Sequence, residues 1–337
     1  MMKKLAVLMP TYNAEQYLKD SIESVLNQSY SDFDFYIYDD CSTDCSKELI
    51  ETYKDFRIFY RKNNINLGIA KTLNIGLEEL LSNYEYIARM DADDWCYPDR
   101  FEKQLAFMEA NGNICISGTQ GYWLKDICLN PISGWKYPLR HEYIEKNLLF
   151  AASFGHSSVI FRSKFFKNYK LRYDEKISTC EDWDLWIRIV KIGKVANLPG
   201  FFMKYRILDD SNHRSSEKNE KHLEERSKIL SDYWFSLGIA LSSEQIFDFY
   251  FNQNAVLKRE FIRNIKIIIE AFNRLYQKSC SNLTQEERTN FRYLLARKIL
   301  NYWKRTKLSR LNPLVWMVII NEVQFMNKFR LIKSILR

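Results

Sequence analysis

Over its first two hundred residues the chain alternates short apolar runs with amphipathic segments, and this alternation most narrows what it can fold into. Leu5 to Met9, Phe33 to Tyr38, Arg57 to Tyr60 and Tyr86 to Met90 read as short strands. Between them, Tyr17, Leu18, Ile22, Val25 and Leu26 share one helical face after Asn13, and Leu73, Leu77, Leu80 and Leu81 do the same after Gly68. A β-α-β-α-β-α-β run implies a mostly parallel sheet flanked by helices. Ligands of such sheets collect at the carboxyl ends of the strands, so functional residues are expected just after them.

Four polar features occupy those ends: Pro10-Thr11-Tyr12-Asn13, Asp39-Asp40, Asn66-Leu67-Gly68 and Asp91-Ala92-Asp93-Asp94. One polar residue after a strand is ordinarily a turn or a helix cap, and Asn13 and Asp44 could each be that. Four ends directed at one rim mark a site. Asp91 and Asp93 are two apart, so an extended backbone would project both carboxylates to one side, where two like charges call for a cation. Oxygen ligands without nearby His or Cys suit magnesium or manganese, completed by substrate phosphates and water. Asp93 is the expected ligand. Asp94 is open between this cluster and a cap for the helix that begins near Pro98-Asp99-Arg100. A further pair, Glu181-Asp182, opens the helical run Trp183 to Val190, and on the residues alone it reads as a cap.

At 337 residues and 46% hydrophobic content, the chain can bury a large core. Its seven cysteines have no paired spacing, which argues against a disulfide framework and a zinc site. Beyond residue 217 strand-like runs give way to long charged helical stretches, with the turn-rich segment Ile207 to Ser216 between. The expected domains are 1–216 and a helical 217–337. The net charge of +8 is local, because residues 291–337 carry eleven Lys or Arg against one acid, Glu322, and leave the body near neutral. Met1-Met2-Lys3-Lys4 is followed by only six apolar residues before Thr11, so no secretory signal and a cytoplasmic location are expected. The longest late apolar run, Leu314 to Ile320, is far short of the roughly 20 residues that cross a bilayer.

In order and spacing over residues 4 to about 206, the series Pro10-Thr11-Tyr12-Asn13, Tyr38-Asp39-Asp40-Cys41-Ser42-Thr43-Asp44, Asn66-Leu67-Gly68-Ile69-Ala70 and Asp91-Ala92-Asp93-Asp94 resembles the family-2 inverting glycosyltransferases of the GT-A fold. The resemblance implies an α/β, Rossmann-like sheet with a helical C-terminal extension. It implies that Pro10, Thr11, Tyr12, Asn13, Asp40, Asn66, Gly68, Asp91 and Ala92 bind the nucleotide-sugar donor. Tyr12 would pack on a uracil ring, Asp40 would accept from the base, Asp91 would hold the ribose and Asp93 a Mn2+ or Mg2+ ion. Physically, an aromatic face can stack on a base and a carboxylate can accept from the imide N–H that uracil has and cytosine lacks, which favours a UDP-sugar. The resemblance also makes Asp182 the general base, with Glu181 as the neighbour that orients acceptor or base. His156, in Gly155-His156-Ser157-Ser158, resembles an acceptor contact, and Tyr205-Arg206 with His213 and Arg214 a mobile segment that closes over the diphosphate. The chain departs from the family's pattern at Thr72, where an arginine is common, with Lys71 beside it.

Residues 291–337 mix cations with Tyr302, Trp303, Leu311, Trp316, Phe325 and Phe329, a composition that fits a helix on an anionic membrane surface as well as an ordinary subdomain with a solvated basic face. A membrane-surface position, peripheral on the inner face, suits an acceptor glycan carried on a polyprenyl diphosphate, as in surface-polysaccharide assembly. The Asp91-Ala92-Asp93-Asp94 form resembles a subset that transfers glucose or galactose to such lipid-linked sugars. Nucleic acid is not an expected partner. Two rivals stand beside this reading: a nucleotidyltransferase, which would carry a glycine-rich loop where Pro10-Thr11-Tyr12-Asn13 has none, and a non-catalytic module in glycan assembly, against which the Glu181-Asp182 pair speaks.

Overall fold

The computed structural model describes residues 3–125, 129–208, 216–250, 267–268, 270, 272–273, 276–277 and 280–304. The chain divides into two compact units, one of residues 1–144 with 152–219, the other of 145–151 with 220–337.

The first unit opens with β1 (Lys3–Thr11), α1 (Glu15–Leu26), β2 (Phe33–Asp39), α2 (Ser46–Thr52), β3 (Ile58–Lys62), α3 (Ile69–Leu80) and β4 (Tyr84–Arg89). This is the alternation expected from the sequence. β1 and β2 are buried on both faces along nearly their whole length, which is why they read as unbroken apolar runs and not as alternating ones. Each pairing within β3-β2-β1-β4 is parallel. Helix α1 buries Leu18, Ile22 and Val25 against this layer.

Then follow β5 (Trp95–Cys96), α4 (Arg100–Ala110), β6 (Ile114–Lys125), β7 (Pro131–Trp135), α5 (His141–Asn147), β8 (Ile160–Arg162), α6 (Ser163–Asn168), α7 (Glu181–Val190) and β9 (Lys194–Ile207). The sheet order among the described residues is β3-β2-β1-β4-β8-β6-β9-β5, with β7 on the open side of β6. The long β6–β9 ladder is parallel, whereas β8, β7 and β5 pair antiparallel with their neighbours. β6 has no apolar run to announce it. Its centre is Ser117, Gly118, Thr119, Gln120 and Gly121, and the buried Gln120 amide is satisfied by donating to the carbonyls of Tyr137 and Leu198, both at 3.2 Å.

In the second unit, α8 (Ser216–Ser236) and α9 (Ser243–Tyr250) precede a helix over Gln285–Lys304. Phe150 is its centre, with ring centroids 5.6 Å from Phe291, 6.3 Å from Tyr250 and 6.4 Å from Trp234. The hydroxyls of Tyr233 and Tyr250 donate to the carbonyls of Glu145 and Leu149 at 2.9 and 2.8 Å. Segment 145–151 therefore belongs with the helical unit, a return that the sequence boundary at 216 does not anticipate. No helix among the described residues is long and apolar enough to cross a membrane. The loop holding His213 and Arg214, and the tail 305–337 with most of the basic apolar stretch, lie outside the described residues.

Candidate functional site

Parallel pairing brings the ends of β1, β2 and β4 together, with Thr11 opposite Asp39 and Leu8 opposite Arg89. The loops after β1 and β2 are knotted to each other. Asn13, at φ 50°, accepts from the Thr43 amide at 2.8 Å, and its own amide donates to Ser42 Oγ at 3.0 Å. Asp44 accepts from the first-turn amides of both α1 and α2, Glu15 and Ser46, each at 3.0 Å. The capping role open to Asn13 and Asp44 thus falls to Asp44. Tyr12 stands 51% exposed beside this knot, so its ring face is available to a flat ligand. Pro10 and Thr11 are buried within β1, and Thr11 Oγ1 is enclosed without a hydrogen-bond partner among the described residues.

Asp40 is buried, and its carboxylate accepts from the amides of Leu67 and Gly68 and from Asn63 Nδ2, each at 2.8 Å. These bonds fix the third motif, where Gly68 takes φ 84°, a backbone conformation that favours glycine. A carboxylate offers about four lone-pair sites, which leaves roughly one at Asp40 for a base. Asn66 is exposed at the same turn. Thr72, at the departure from the family pattern, is buried and accepts from Asn63 at 2.9 Å.

The acids after β4 meet by a turn and not on an extended strand, the Asp94 amide donating to the Asp91 carbonyl at 3.4 Å. One ligand oxygen from each of Asp91, Asp93 and Asp94 lies within 4.8 Å of the others. Two buried serines of α1 face this turn, and Ser21 Oγ donates to the carbonyls of Ala92 and Asp94 at 2.8 and 2.5 Å. The three acids have different surroundings. Asp91 pairs with the buried Arg89 guanidinium and accepts from Ser157 Oγ at 2.6 Å. Asp94 is wholly buried, accepts from Ser157 through its other oxygen and from the Arg206 amide at 2.9 Å, and does not cap α4. Burial, then the charge of Asp91, pushes Asp93 up to about 7. Burial, then the charges of Asp93 and Asp91, pushes Asp94 well above the carboxylate range. Crowded carboxylates with this much unrelieved repulsion are a fitting place for a divalent cation, and the all-oxygen donor set suits a hard one.

A second acid group is linked to the first through the turn His156–Ser158. Glu181 and Asp182 open α7, Glu181 buried and Asp182 half-buried, and Asp182 Oδ1 accepts from the Trp183 amide at 2.6 Å. Burial, then the charge of Asp182, pushes Glu181 up to about 8. His156 Nδ1 is 3.7 Å from Glu181 Oε1, and Nε2 is bonded to the Tyr173 hydroxyl at 2.8 Å. Burial, with the charge of Arg89 adding to it, holds His156 well below its ordinary value. The ring is therefore neutral and its approach to Glu181 is no ion pair.

Arg89, Ser157 and Arg206 carry structural work that the sequence reading missed or placed elsewhere. Arg89 ends a strand that otherwise has only the exposed Glu85 as a charge, and it is buried there two residues before an acid; a charge at the inward end of an apolar run is the signal that could have marked it. Ser157 lies between Asp91 and Asp94. Arg206 sits in β9 with its side chain buried, its Nε donating to the Asp93 carbonyl at 2.8 Å and its guanidinium 4.6 Å from the Tyr17 ring. It is bonded to the acid turn from the strand that precedes the loop of His213 and Arg214.

The family model for Glycosyl transferase family 2 matches residues 6–168, from β1 to the end of α6, which takes in all four strand-end motifs but not Glu181-Asp182. An uncharacterized glycosyltransferase of Haemophilus influenzae is 31% identical over 272 residues, 75% of this chain and 83% of that protein. The Escherichia coli protein WfaP, described as a UDP-Glc:alpha-D-GlcNAc-diphosphoundecaprenol beta-1,3-glucosyltransferase, is 28% identical over 261 residues, 77% of this chain and 97% of its own. Of solved structures, S. aureus TarS 1-349 in complex with UDP-GlcNAc has the same fold, with a TM-score of 0.57 at 17% identity, covering 95% of this chain and 88% of that one. The fold is therefore GT-A. With strand-end motifs, acid turn and sequence relationship all in agreement, the chain belongs to glycosyl transferase family 2.

Proposed function

We propose that this chain transfers a hexose, glucose or galactose, from a UDP-sugar to a glycan acceptor with inversion at the anomeric carbon, and that the acceptor is a polyprenyl-diphosphate-linked sugar in polysaccharide synthesis. The observation that carries the proposal is the acid turn at the end of β4: three carboxylates with ligand oxygens within 4.8 Å of one another, linked through Ser157 and His156 to a second acid pair. The name of WfaP supports the choice of donor, hexose and lipid-linked acceptor, and an acceptor of that kind would bring the enzyme to the inner face of a membrane.

In this reading Tyr12 stacks on uracil, the remaining acceptor site of Asp40 takes the imide N–H, and Asn66 and Gly68 border the base with Pro10, Thr11 and Asn13. Asp91, held by Arg89 and Ser157, faces the ribose next to Ala92. Asp93 is the acid that would hold Mn2+ or Mg2+, since Asp91 and Asp94 are already committed to Arg89, Ser157 and Arg206. Such an ion, when bound, offsets the charge that grows on the diphosphate leaving group. Asp182 accepts the proton of the attacking acceptor hydroxyl, which adds in line to the anomeric carbon as the bond to the diphosphate oxygen breaks. Glu181, pushed up to about 8 by its burial and then by the charge of Asp182, stays uncharged near neutral pH beside the base.

Incubation with UDP-glucose, UDP-galactose and Mn2+ in the presence of a synthetic prenyl-diphosphate-linked N-acetylhexosamine tests this directly. Release of UDP and a product of inverted configuration by proton NMR are expected. Failure of every nucleotide sugar to bind or turn over would contradict the reading.

A further inference from the structure

The site contains a built aromatic wall to which neither the motifs nor the family relationship gives a role. On one face of β7, β6 and β9, register puts Trp135 opposite Gly121, Ser133 opposite Trp123, and Trp123 opposite Tyr205. Ring centroids of Trp123 and Trp135 are 4.9 Å apart, Trp123 and Tyr205 5.3 Å, Trp135 and Tyr205 6.3 Å, and Trp135 and Tyr137 6.3 Å. All four residues are half-buried, which leaves part of the wall open.

The Trp135 indole is seated on glycine. A Cβ on Gly121 would lie 2.2 Å from the ring, and one on Gly155 would lie 3.6 Å from it. Its Nε1–H makes no hydrogen bond among the described residues, so packing alone fixes the plane of the ring. Gln120 fixes the next aromatic, accepting from the Tyr137 amide at 2.5 Å and donating to the Tyr137 carbonyl at 3.2 Å. The wall runs between the two acid groups. At one end Tyr205 precedes Arg206, whose amide bonds Asp94, and burial, then the charges of Asp94, Asp91 and Asp93, pushes its hydroxyl up. At the other end Trp135 lies against Gly155, whose neighbour His156 has its Nδ1 3.7 Å from Glu181 Oε1, at the start of the helix that carries Asp182.

A ring held flat between a diphosphate site and a general base suits a ligand with an apolar face and a polar rim. A pyranose has both, its axial C–H bonds on one side and its hydroxyls around the edge. We propose that Trp135, flanked by Trp123 and Tyr137, is the platform on which the pyranose ring of the acceptor lies, so that its attacking hydroxyl projects toward Asp182. This rests on the reading of the chain as a sugar transferase with Asp182 as base, and it adds the residue that selects a sugar ring, as opposed to a lipid or protein hydroxyl, as the acceptor group.

The test uses methyl β-glycosides of glucose, galactose, N-acetylglucosamine and N-acetylgalactosamine as probes on the full chain, with and without UDP and Mn2+. Saturation-transfer NMR is expected to show one ring face of at least one glycoside against the protein, with affinity at least tenfold weaker in Trp135→Ala and unchanged in Ile132→Ala, an exposed position on the same strand. In 15N-labelled wild-type protein the Trp135 indole resonance, assigned through Trp135→Phe, is expected to shift on glycoside addition, a readout that does not require the alanine variant to fold. An unmoved Trp135 resonance, equal binding by a folded Trp135→Ala, or no glycoside contact at all would overturn the platform. UDP titration of the same samples separates the two ideas. Wild-type protein that binds a glycoside on Trp135 but never UDP keeps the platform and sinks the donor reading, whereas UDP binding with no glycoside contact does the reverse.

Discussion

Two acid groups flank the turn His156–Ser158, Ser157 bonding one and His156 approaching the other, and they are built on opposite plans. The turn Asp91-Ala92-Asp93-Asp94 gathers three carboxylates and supplies positive charge and donors around them: Arg89 and Ser157 on Asp91, Ser157 and the Arg206 amide on Asp94. The pair Glu181-Asp182 sits at the start of α7 beside a neutral histidine, and burial leaves Glu181 near neutrality up to about 8. The first arrangement concentrates negative charge that a cation can relieve, and the second keeps one of two neighbouring acids, Glu181, uncharged up to about 8. That is the division of labour expected of a donor-diphosphate site and an acceptor-deprotonating site, in which environments push like groups apart.

The largest effect that could break this comparison is on chemistry. Asp182→Asn is expected to lower transfer by about 10²–10⁴-fold while UDP affinity stays unchanged. A variant with near wild-type turnover would remove the base from α7. Next comes Arg89→Met, which leaves Asp91 without its buried counter-charge and is expected to destabilise the fold by about 3–5 kcal/mol in denaturant unfolding. Stability equal to wild type would mean that the acid turn does not depend on Arg89. Leu67 and Gly68 donate to different oxygens of Asp40, so Asp40→Asn leaves one of the two amides facing an NH2 where it needs an acceptor. A loss of about 1–3 kcal/mol is expected, with weaker UDP binding.

The smallest effect is a slope. Glu181 titrates at about 8 in the folded chain and at 4.5 as its ordinary value, so between these pH values the unfolded chain has released a proton that the folded chain retains. Stability from this group is therefore expected to fall as pH rises through that window and to level off above about 8. Glu181→Gln should flatten that part of the melting-temperature profile measured without metal, and an unchanged profile would show that Glu181 does not retain its proton on folding.

The parallel half of the molecule was legible because its strands are continuous apolar runs and its helices have regular faces: β1 to β4 and α1 and α3 are where periodicity put them. The other half was not, since β6 stabilises itself through buried polar groups such as Gln120 that carry no apolar pattern. The same holds within the site. The strand-end acids stood out as clustered charges, but Ser157, which bridges Asp91 and Asp94 from 63 residues beyond the latter, comes into place only through the sheet. Trp135 and Gly121 were invisible because an aromatic seated on a glycine across a hairpin is a tertiary pairing, and neither residue is unusual in its own stretch of chain. The position of Asp94 was likewise undecidable locally, as its partner amide belongs to Arg206.

The central claim, that the turn after β4 is a metal-dependent donor site, is tested most directly by calorimetric titration of UDP into wild-type and Asp93→Asn protein with and without Mn2+. Wild-type protein is expected to bind tightly only with Mn2+, and Asp93→Asn weakly and independently of Mn2+. Binding of UDP by Asp93→Asn with the wild-type manganese dependence would contradict it.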